Sequence, residues 1–188
     1  GRCRYCHCKI PVRGFFIEIF GGVIGVFCFY RFGFEYETIL MFVIAMILLA
    51  ITMIDFDTMT IPDGLNMTMF LVCLVLMFVR QMSLVDSIIG MFCISLPMFL
   101  LNLVIPDSFG GGDIKLMFAS GIALGWKYSL LAAFIGILIA GIYCIYLILT
   151  KKVDKKGHIA FGPYLSIGIF IALCYGYEII SWYLNLLM

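Results

Sequence analysis

Five carboxylates are concentrated in two short polar turns of an otherwise very apolar sequence. The first turn, I-D-F-D-T-M-T-I-P-D-G, carries Asp55, Asp57 and Asp63, and the second, P-D-S-F-G-G-G-D-I-K, carries Asp107 and Asp113. Carboxylates are costly at membrane depth and usually mark function when they occur there. When two carboxylates face each other, one holds a proton, so that the pair can both activate water and protonate a carbonyl oxygen.

Asp55 and Asp113 are the two acids whose positions suit such a pair. Asp55 directly follows an apolar run and is predicted at a helix end, at the edge of the bilayer. Asp113 opens the next apolar stretch after three glycines, which allow close backbone approaches. Each residue alone has a simpler interpretation, a surface acid for Asp55 and a helix N-cap for Asp113. Because both are predicted at a similar depth on the same side, the pair favours aspartic-protease chemistry.

The elements that position these acids are predicted to be membrane helices. Of the 188 residues, 64% are hydrophobic and 12% charged, with a mean hydropathy of +1.16. Soluble domains are roughly 45–50% apolar and about 25% charged. This composition excludes a soluble globular enzyme and a disordered or fibrous chain. A net charge of +1 provides no electrostatic footprint for nucleic acid, so the expected partner is the lipid bilayer.

The apolar runs predict an all-α, polytopic transmembrane helix bundle of six or seven helices with short cytoplasmic loops. A membrane helix needs about 20 apolar residues, and helices satisfy every backbone group in lipid. A seventh run, 113–126, is short enough to be a partial span. The six longer runs are 14–33, 37–54, 65–80, 84–105, 128–150 and 159–187.

Basic residues predict the orientation. With the amino terminus inside and seven spans, only Arg31, Arg80 and Lys127 fall on the outer side. Because basic residues mark cytoplasmic loops, we expect both acidic turns in the cytoplasm and the carboxyl terminus outside. The inner side collects Arg2, Arg4, Lys9, Arg13, Lys115, Lys151, Lys152, Lys155 and Lys156.

The basic, Cys-containing leader 1–13 is set apart from the membrane core 14–188. Cysteines outside the leader lie in apolar runs, where free Cys behaves as a small hydrophobe. A closed structural zinc site needs four ligands, whereas Cys3, Cys6 and Cys8 supply at most three. These three cysteines therefore do not complete such a site by themselves. A chain that starts with Gly, directly in this patch, is typical of a fragment whose upstream residues are missing.

Five ordered motifs resemble those of the type IV prepilin peptidases, aspartic proteases embedded in bacterial membranes. The resemblance implies that Asp55 and Asp113 are catalytic and that Asp57, Asp63, Gly110, Gly112 and Lys115 support them. The motifs are G-R-C-R-Y-C-x-x-x-I at 1–10, Arg13 followed by Glu18, I-D-F-D-x-x-x-I-P-D at 54–63, F-G-G-G-D-I-K-L at 109–116 and F-G-P-Y-L at 161–165.

The resemblance also implies a substrate and a location. Such enzymes remove the basic leader of type IV prepilin or pseudopilin precursors, cutting after a Gly on the cytoplasmic side of the inner membrane. Cleavage would need no cofactor. Many members also methylate the new amino terminus with S-adenosylmethionine, an activity that we expect, like zinc binding, only of the full-length protein. The segment 1–13 would be a remnant of the cytoplasmic region, in which Cys3 and Cys6 would form a partial zinc site. The segment 14–188 would be the transmembrane aspartic peptidase domain.

Two other functions are compatible with acids at a membrane surface. The first is a metal-dependent membrane phosphotransferase acting on lipid headgroups, because Asp-rich loops hold divalent cations. Chelator sensitivity would separate it from an aspartic protease. The second, a proton-relaying transporter, is disfavoured because the acids cluster at one face and do not line a path.

Overall fold

The computed structural model describes residues 12–106, 108–150 and 160–187, which form six α-helices. No strand occurs within these ranges. Five of the helices are long and apolar enough to cross a membrane, and α3 is a shorter apolar helix. The predicted all-α, polytopic bundle is confirmed. The helices are α1 (Val12–Phe32), α2 (Tyr36–Thr58), α3 (Asp63–Val79), α4 (Leu84–Val104), α5 (Gly111–Leu149) and α6 (Gly162–Leu187).

Helix α5 consists of two antiparallel arms that meet at Gly125. This residue has φ 67° and ψ 175°, a conformation that is essentially restricted to glycine. The first arm, 111–124, runs antiparallel to α4, because Gly121 packs against Gly90 whereas Gly125 lies beside Asp86. The glycine pair removes side chains from the contact, so that the two backbones approach closely.

The second arm, 126–149, returns antiparallel to α6. Tyr128 packs against Gly176, and Gly136 packs against Leu165, so that residue numbers rise along one helix as they fall along the other. Helix α5 therefore accounts for two of the seven predicted apolar runs. At about 1.5 Å per residue, the first arm is only about 21 Å long, shorter than a full span. The expected short seventh segment is therefore present as the first arm of α5.

The first arm of α5 lies in the core, and α1 lies at the periphery. Leu116, Met117 and Leu124 are almost wholly buried in the hydrophobic core. By contrast, most of α1 is exposed, as expected for a helix that faces lipid on several sides. The acid in the G-G-G-D motif is thus carried by the largely buried first arm of α5.

The two ends of the bundle differ in their polar residues. Helix α2 ends, and α3, α5 and α6 begin, at the end that carries Asp55 and Asp113, which we call the aspartate end. Arg31 and Arg80 lie at the opposite end, which we call the arginine end.

Candidate active site

Asp55 lies in the last turn of α2, and its carboxylate is held by the start of α6. Only 5% of the residue is exposed, and the backbone N–H of Gly162 donates a hydrogen bond of 3.0 Å to Asp55 Oδ2. A Cβ at position 162 would stand 2.7 Å from the same oxygen. Helix α2 ends just beyond, where Met59 takes a left-handed conformation and its N–H bonds to the Asp55 carbonyl. Glycine at 162 is therefore required for this contact.

Asp113 lies in the first turn of α5, three residues after the N-cap residue Gly110. The interpretation of Asp113 as the N-cap itself is therefore wrong. The residue is 6% exposed, and its carboxylate interacts with the backbone N–H of Gly110. A Cβ at position 110 would lie 2.9 Å from Asp113 Oδ2. A helix start leaves free amides and a partial positive charge, both of which favour a carboxylate there.

The fold brings these two carboxylates together around Ile61. A Cβ at Gly112, the residue before Asp113, would lie 2.7 Å from Ile61 Cβ, and one at Gly162 would lie 3.2 Å from Ile61 Cδ1. The negative charge of Asp55 acts on Asp113. Within the described part of the chain, neither carboxylate has a cation at ion-pair distance. The two acids form a buried dyad without a counter-ion there, a geometry in which a shared proton relieves the repulsion.

Aromatic and amide contacts hold the loop that leads into α5. The rings of Phe109 and Phe161 lie 5.8 Å apart, which joins the G-G-G-D motif to the F-G-P-Y-L motif. In the last turn of α4, Asn102 Nδ2 donates to the Phe109 carbonyl and Asn102 Oδ1 accepts from the Phe109 N–H, both at 2.9 Å. Together with the Asp55 motif, which contacts Gly162, three separate motifs of the sequence therefore meet at the dyad.

The other acids of the first motif form exposed ion pairs beside the dyad. Asp57 Oδ2 lies 2.6 Å from Arg13 Nη1, and both side chains are about half exposed. Asp63 Oδ1 lies 2.6 Å from Lys115 Nζ, with even greater exposure. These pairs tie α1 to α2 and α3 to α5 around the aspartate end. Their positions suit residues that support or surround a site.

Two residues at the dyad were not singled out from the sequence as site residues. Gly162, whose amide binds Asp55, belongs to the F-G-P-Y-L motif, and that motif was the sequence feature that could have identified it. Asn66 is 5% exposed in α3, and its Nδ2 donates a 3.3 Å hydrogen bond to the Gly112 carbonyl. A lone amide in a strongly apolar helix was the corresponding signal.

Some predicted residues lie outside the described ranges. These are Asp107, which shares the second acidic turn, and Cys3 and Cys6, for which zinc binding stays a prediction. Within the described ranges, no group of three or more His, Cys, Asp or Glu residues is placed to hold a metal ion. The predicted division into segments 1–13 and 14–188 likewise stays a prediction.

Comparison with known proteins identifies the family. The model of the type IV leader peptidase family matches residues 42–145, a range that contains both dyad aspartates. The chain belongs to this family. It is a multi-pass membrane protein, and membership of a peptidase family separates it from the phosphotransferase and transporter interpretations.

Relatives that align with nearly the whole of this chain support the same family. The prepilin leader peptidase/N-methyltransferase of Aeromonas salmonicida is 30% identical over 194 residues, which cover 100% of this chain and 67% of the relative. That of Aeromonas hydrophila is 31% identical, covering 98% and 66%, and that of Legionella pneumophila is 30% identical, covering 98% and 67%. The chain thus spans about two thirds of the length of these relatives. No solved structure matches it.

Proposed function

We propose that this protein is a membrane-embedded aspartic endopeptidase that removes the basic leader of type IV prepilin-like precursors. The observation that carries the proposal is the buried Asp55–Asp113 dyad. Glycine amides lie beside its carboxylates, and among the described residues no cation pairs with them. The names of the relatives supply the substrate class, since they are prepilin leader peptidases. Both acids lie within the matched family region.

In the proposed reaction, the dyad supplies one base and one acid. The ionised carboxylate takes a proton from water as the water oxygen bonds to the scissile carbonyl carbon. The protonated carboxyl gives its proton to the carbonyl oxygen, which forms a neutral gem-diol. The C–N bond then breaks, the leaving nitrogen takes a proton from the carboxyl that received one, and a hydroxyl of the diol returns its proton to the other carboxylate. The products are a carboxylic acid and a free amine.

Substrate position follows from the bundle. We place the aspartate end in the cytoplasm, at the inner membrane of a bacterium, because the positive-inside count is nine to three. The apolar helix of a precursor then lies in the bilayer while its basic leader stays in the cytoplasm, with the scissile Gly peptide at the depth of the dyad. Since Asp55 and Asp113 are 5% and 6% exposed, the aspartate end must open locally to admit an extended peptide.

Methylation of the new amino terminus is a separate proposal for the full-length protein. The names of the relatives include N-methyltransferase, and the donor we expect is S-adenosylmethionine. Zinc binding by Cys3 and Cys6, outside the described residues, belongs to the same proposal. Peptide cleavage by the dyad does not depend on either.

The decisive experiment replaces each dyad acid by its amide. Purified protein in lipid vesicles is mixed with a precursor peptide that carries a basic leader and an apolar helix, and mass spectrometry identifies the new amino terminus. Asp55→Asn and Asp113→Asn should each lower cleavage by at least about 10³-fold, because an amide exchanges no proton. Asp107→Asn is the matched control and should be mild, since Asp107 matches no motif position. Cleavage by either dyad variant at the native rate would refute the proposal.

A chelator provides an independent check against metal chemistry. Cleavage by the dyad should be unchanged after treatment with EDTA, whereas a metal-dependent phosphotransferase would lose its activity. Loss of cleavage that added divalent cation restores would contradict the proposed mechanism. The same samples should release no phosphate from lipid headgroups.

A further inference from the structure

Two unpaired acceptor atoms flank one peptide unit beside the dyad. Within the described residues, Asn66 Oδ1 and Asp113 Oδ1 are buried and accept no hydrogen bond. Asn66 contacts the Gly112 carbonyl through Nδ2, and Asp113 is the next residue along the chain. Both residues are at least nine-tenths buried. Buried polar atoms are normally paired, so two orphaned acceptors at one place call for an explanation.

The orientation of the Asn66 amide follows from its one hydrogen bond. A backbone carbonyl oxygen only accepts, so the nitrogen of the amide must face Gly112, and the carbonyl oxygen of the side chain must face elsewhere. Rotating the amide by 180° would place two acceptors against each other. The unpaired atom is therefore Oδ1 and not Nδ2. A side chain held in this way presents a fixed acceptor next to the dyad.

One water molecule carries two O–H groups and can therefore bond to an amide oxygen and to a carboxylate at once. We propose that Asn66 is a positioning residue of the peptidase, whose Oδ1 accepts one hydrogen bond from the attacking water while the ionised carboxylate of the dyad accepts the other. This inference rests on the proposed function, because it assigns a role in that reaction. No family motif that we identified singles out Asn66.

The role of Asn66 in the reaction is orientation. One O–H of the water stays bonded to Asn66 Oδ1 as the other loses its proton to the ionised member of the dyad. The oxygen lone pair is then directed at the scissile carbonyl carbon, to which it bonds. Through Nδ2, the same side chain fixes the Gly112 carbonyl and with it the first turn of α5, which carries Asp113.

The test compares two variants that differ by one oxygen atom. Asn66→Ala removes both polar groups, whereas Asn66→Ser leaves a hydroxyl that can donate and accept. In the precursor assay, Asn66→Ala should lower kcat by about 10²-fold with KM within about twofold, the scale expected when one oriented hydrogen bond is lost. Asn66→Ser should recover at least about tenfold of that loss. A merely structural role would lower thermal stability in both variants without this split between kcat and KM.

Controls separate the possible failures. Ser129→Ala removes a different buried, unpaired polar atom, the Ser129 hydroxyl near the arginine end, and should leave kcat unchanged. Equal kcat for Asn66→Ala and Asn66→Ser, or a native kcat for Asn66→Ala, would overturn the inference. If Asn66→Ala does not accumulate in the membrane, a kcat for Asn66→Ser more than about 10²-fold below native would count against it. If the Asn66 variants give any of these negative results while Asp55→Asn and Asp113→Asn abolish cleavage in the same assay, only the inference fails. If Asp55→Asn or Asp113→Asn cleaves at the native rate, the proposed function itself fails.

Discussion

The two ends of the bundle hold acids in opposite ways. At the arginine end, Glu37 accepts hydrogen bonds from Arg80 Nε and Nη2 at 2.9 and 2.6 Å, and Glu178 pairs with Arg31. At the aspartate end, Asp55 and Asp113 lie close enough for the charge of one to act on the other, and glycine amides lie beside their carboxylates. The acids at the arginine end are also more exposed than the nearly buried dyad.

Under the proposed function, this difference separates the acids that perform chemistry from those that stabilise the fold. A carboxylate paired with arginine is held as an anion and stabilises the contact between helices. A pair of carboxylates that no cation pairs with, among the described residues, is free to exchange a proton. Burying such a pair destabilises the fold. The arginines also donate to carbonyls in α6, Arg80 to Leu173 and Arg31 to Cys174, which is a structural arrangement. Acid content alone would not distinguish the two ends.

The largest effect after loss of a dyad acid is expected from adding one methyl group beside it. In Gly162→Ala, the new Cβ would stand 2.7 Å from Asp55 Oδ2 and displace the carboxylate from the Gly162 amide. Because small misplacements of a catalytic group are costly, kcat should fall by about 10²-fold. The measurement is precursor cleavage at saturating substrate.

Gly64→Ala is the matched control for that substitution. Gly64 also lies in the first turn of a helix at the aspartate end, but its Cβ would meet no atom within 4 Å. Alanine also favours helix over glycine, so activity should be native and stability equal or slightly higher. A large loss of activity in Gly64→Ala, or native activity in Gly162→Ala, would contradict the geometry of the dyad.

At the arginine end, the expected effect is on stability and not on catalysis. Arg80→Met leaves the Glu37 carboxylate without its partner, although the Glu37 side chain is only 23% exposed. The substitution should therefore lower the free energy of unfolding by about 2 kcal/mol. Cleavage per folded molecule should remain within about twofold of native, because the dyad lies at the other end. Denaturation in detergent and the precursor assay measure the two quantities.

A double variant sharpens this prediction. Arg80→Met with Glu37→Leu removes both charges and should recover part of the lost stability, since an unpaired carboxylate no longer remains at a half-buried site. If Arg80→Met instead lowered kcat strongly at native stability, the division between a structural end and a catalytic end would be wrong.

The fold was largely predictable because the apolar runs that determine it are distributed along the whole chain. Runs of apolar residues specify membrane helices wherever they occur, and even the short run 113–126 appeared as a separate segment. The reversal at Gly125 was not predicted, because one glycine in an apolar stretch has no distinctive pattern. Its backbone packs against Gly90 of α4, a tertiary contact that the local sequence does not reveal.

For the candidate site, the sequence predicted the acids better than their environment. Asp55 and Asp113 were identified because acids are conspicuous in an apolar chain. Gly162 and Asn66 contact the dyad region through a backbone amide and a backbone carbonyl. Such contacts depend on which helix ends meet, and a single sequence does not contain that information. The partners of Asp57 and Asp63 were missed for the same reason.

The smallest effect is expected from the exposed pairs Asp57–Arg13 and Asp63–Lys115. Exposed ion pairs typically contribute less than about 1 kcal/mol, so Asp57→Asn with Asp63→Asn should hardly change stability. Under the proposed function these acids would attract a basic leader, but Arg13 and Lys115 neutralise much of their charge. We therefore expect KM for the precursor to rise by only about two- to threefold at low salt, with kcat unchanged.

Salt dependence identifies the origin of that change in KM. Screening shortens the electrostatic range from about 10 Å at 0.1 M salt to about 3 Å at 1 M, so the difference in KM between native and double variant should disappear at 1 M. Glu35→Gln, which removes an exposed acid at the arginine end, is the matched control and should leave KM unchanged at both concentrations. A difference that persists at 1 M salt would mean that Asp57 and Asp63 contact the leader directly or shape the dyad. A fall in kcat would extend the catalytic region beyond the two buried acids to the ion pairs around them.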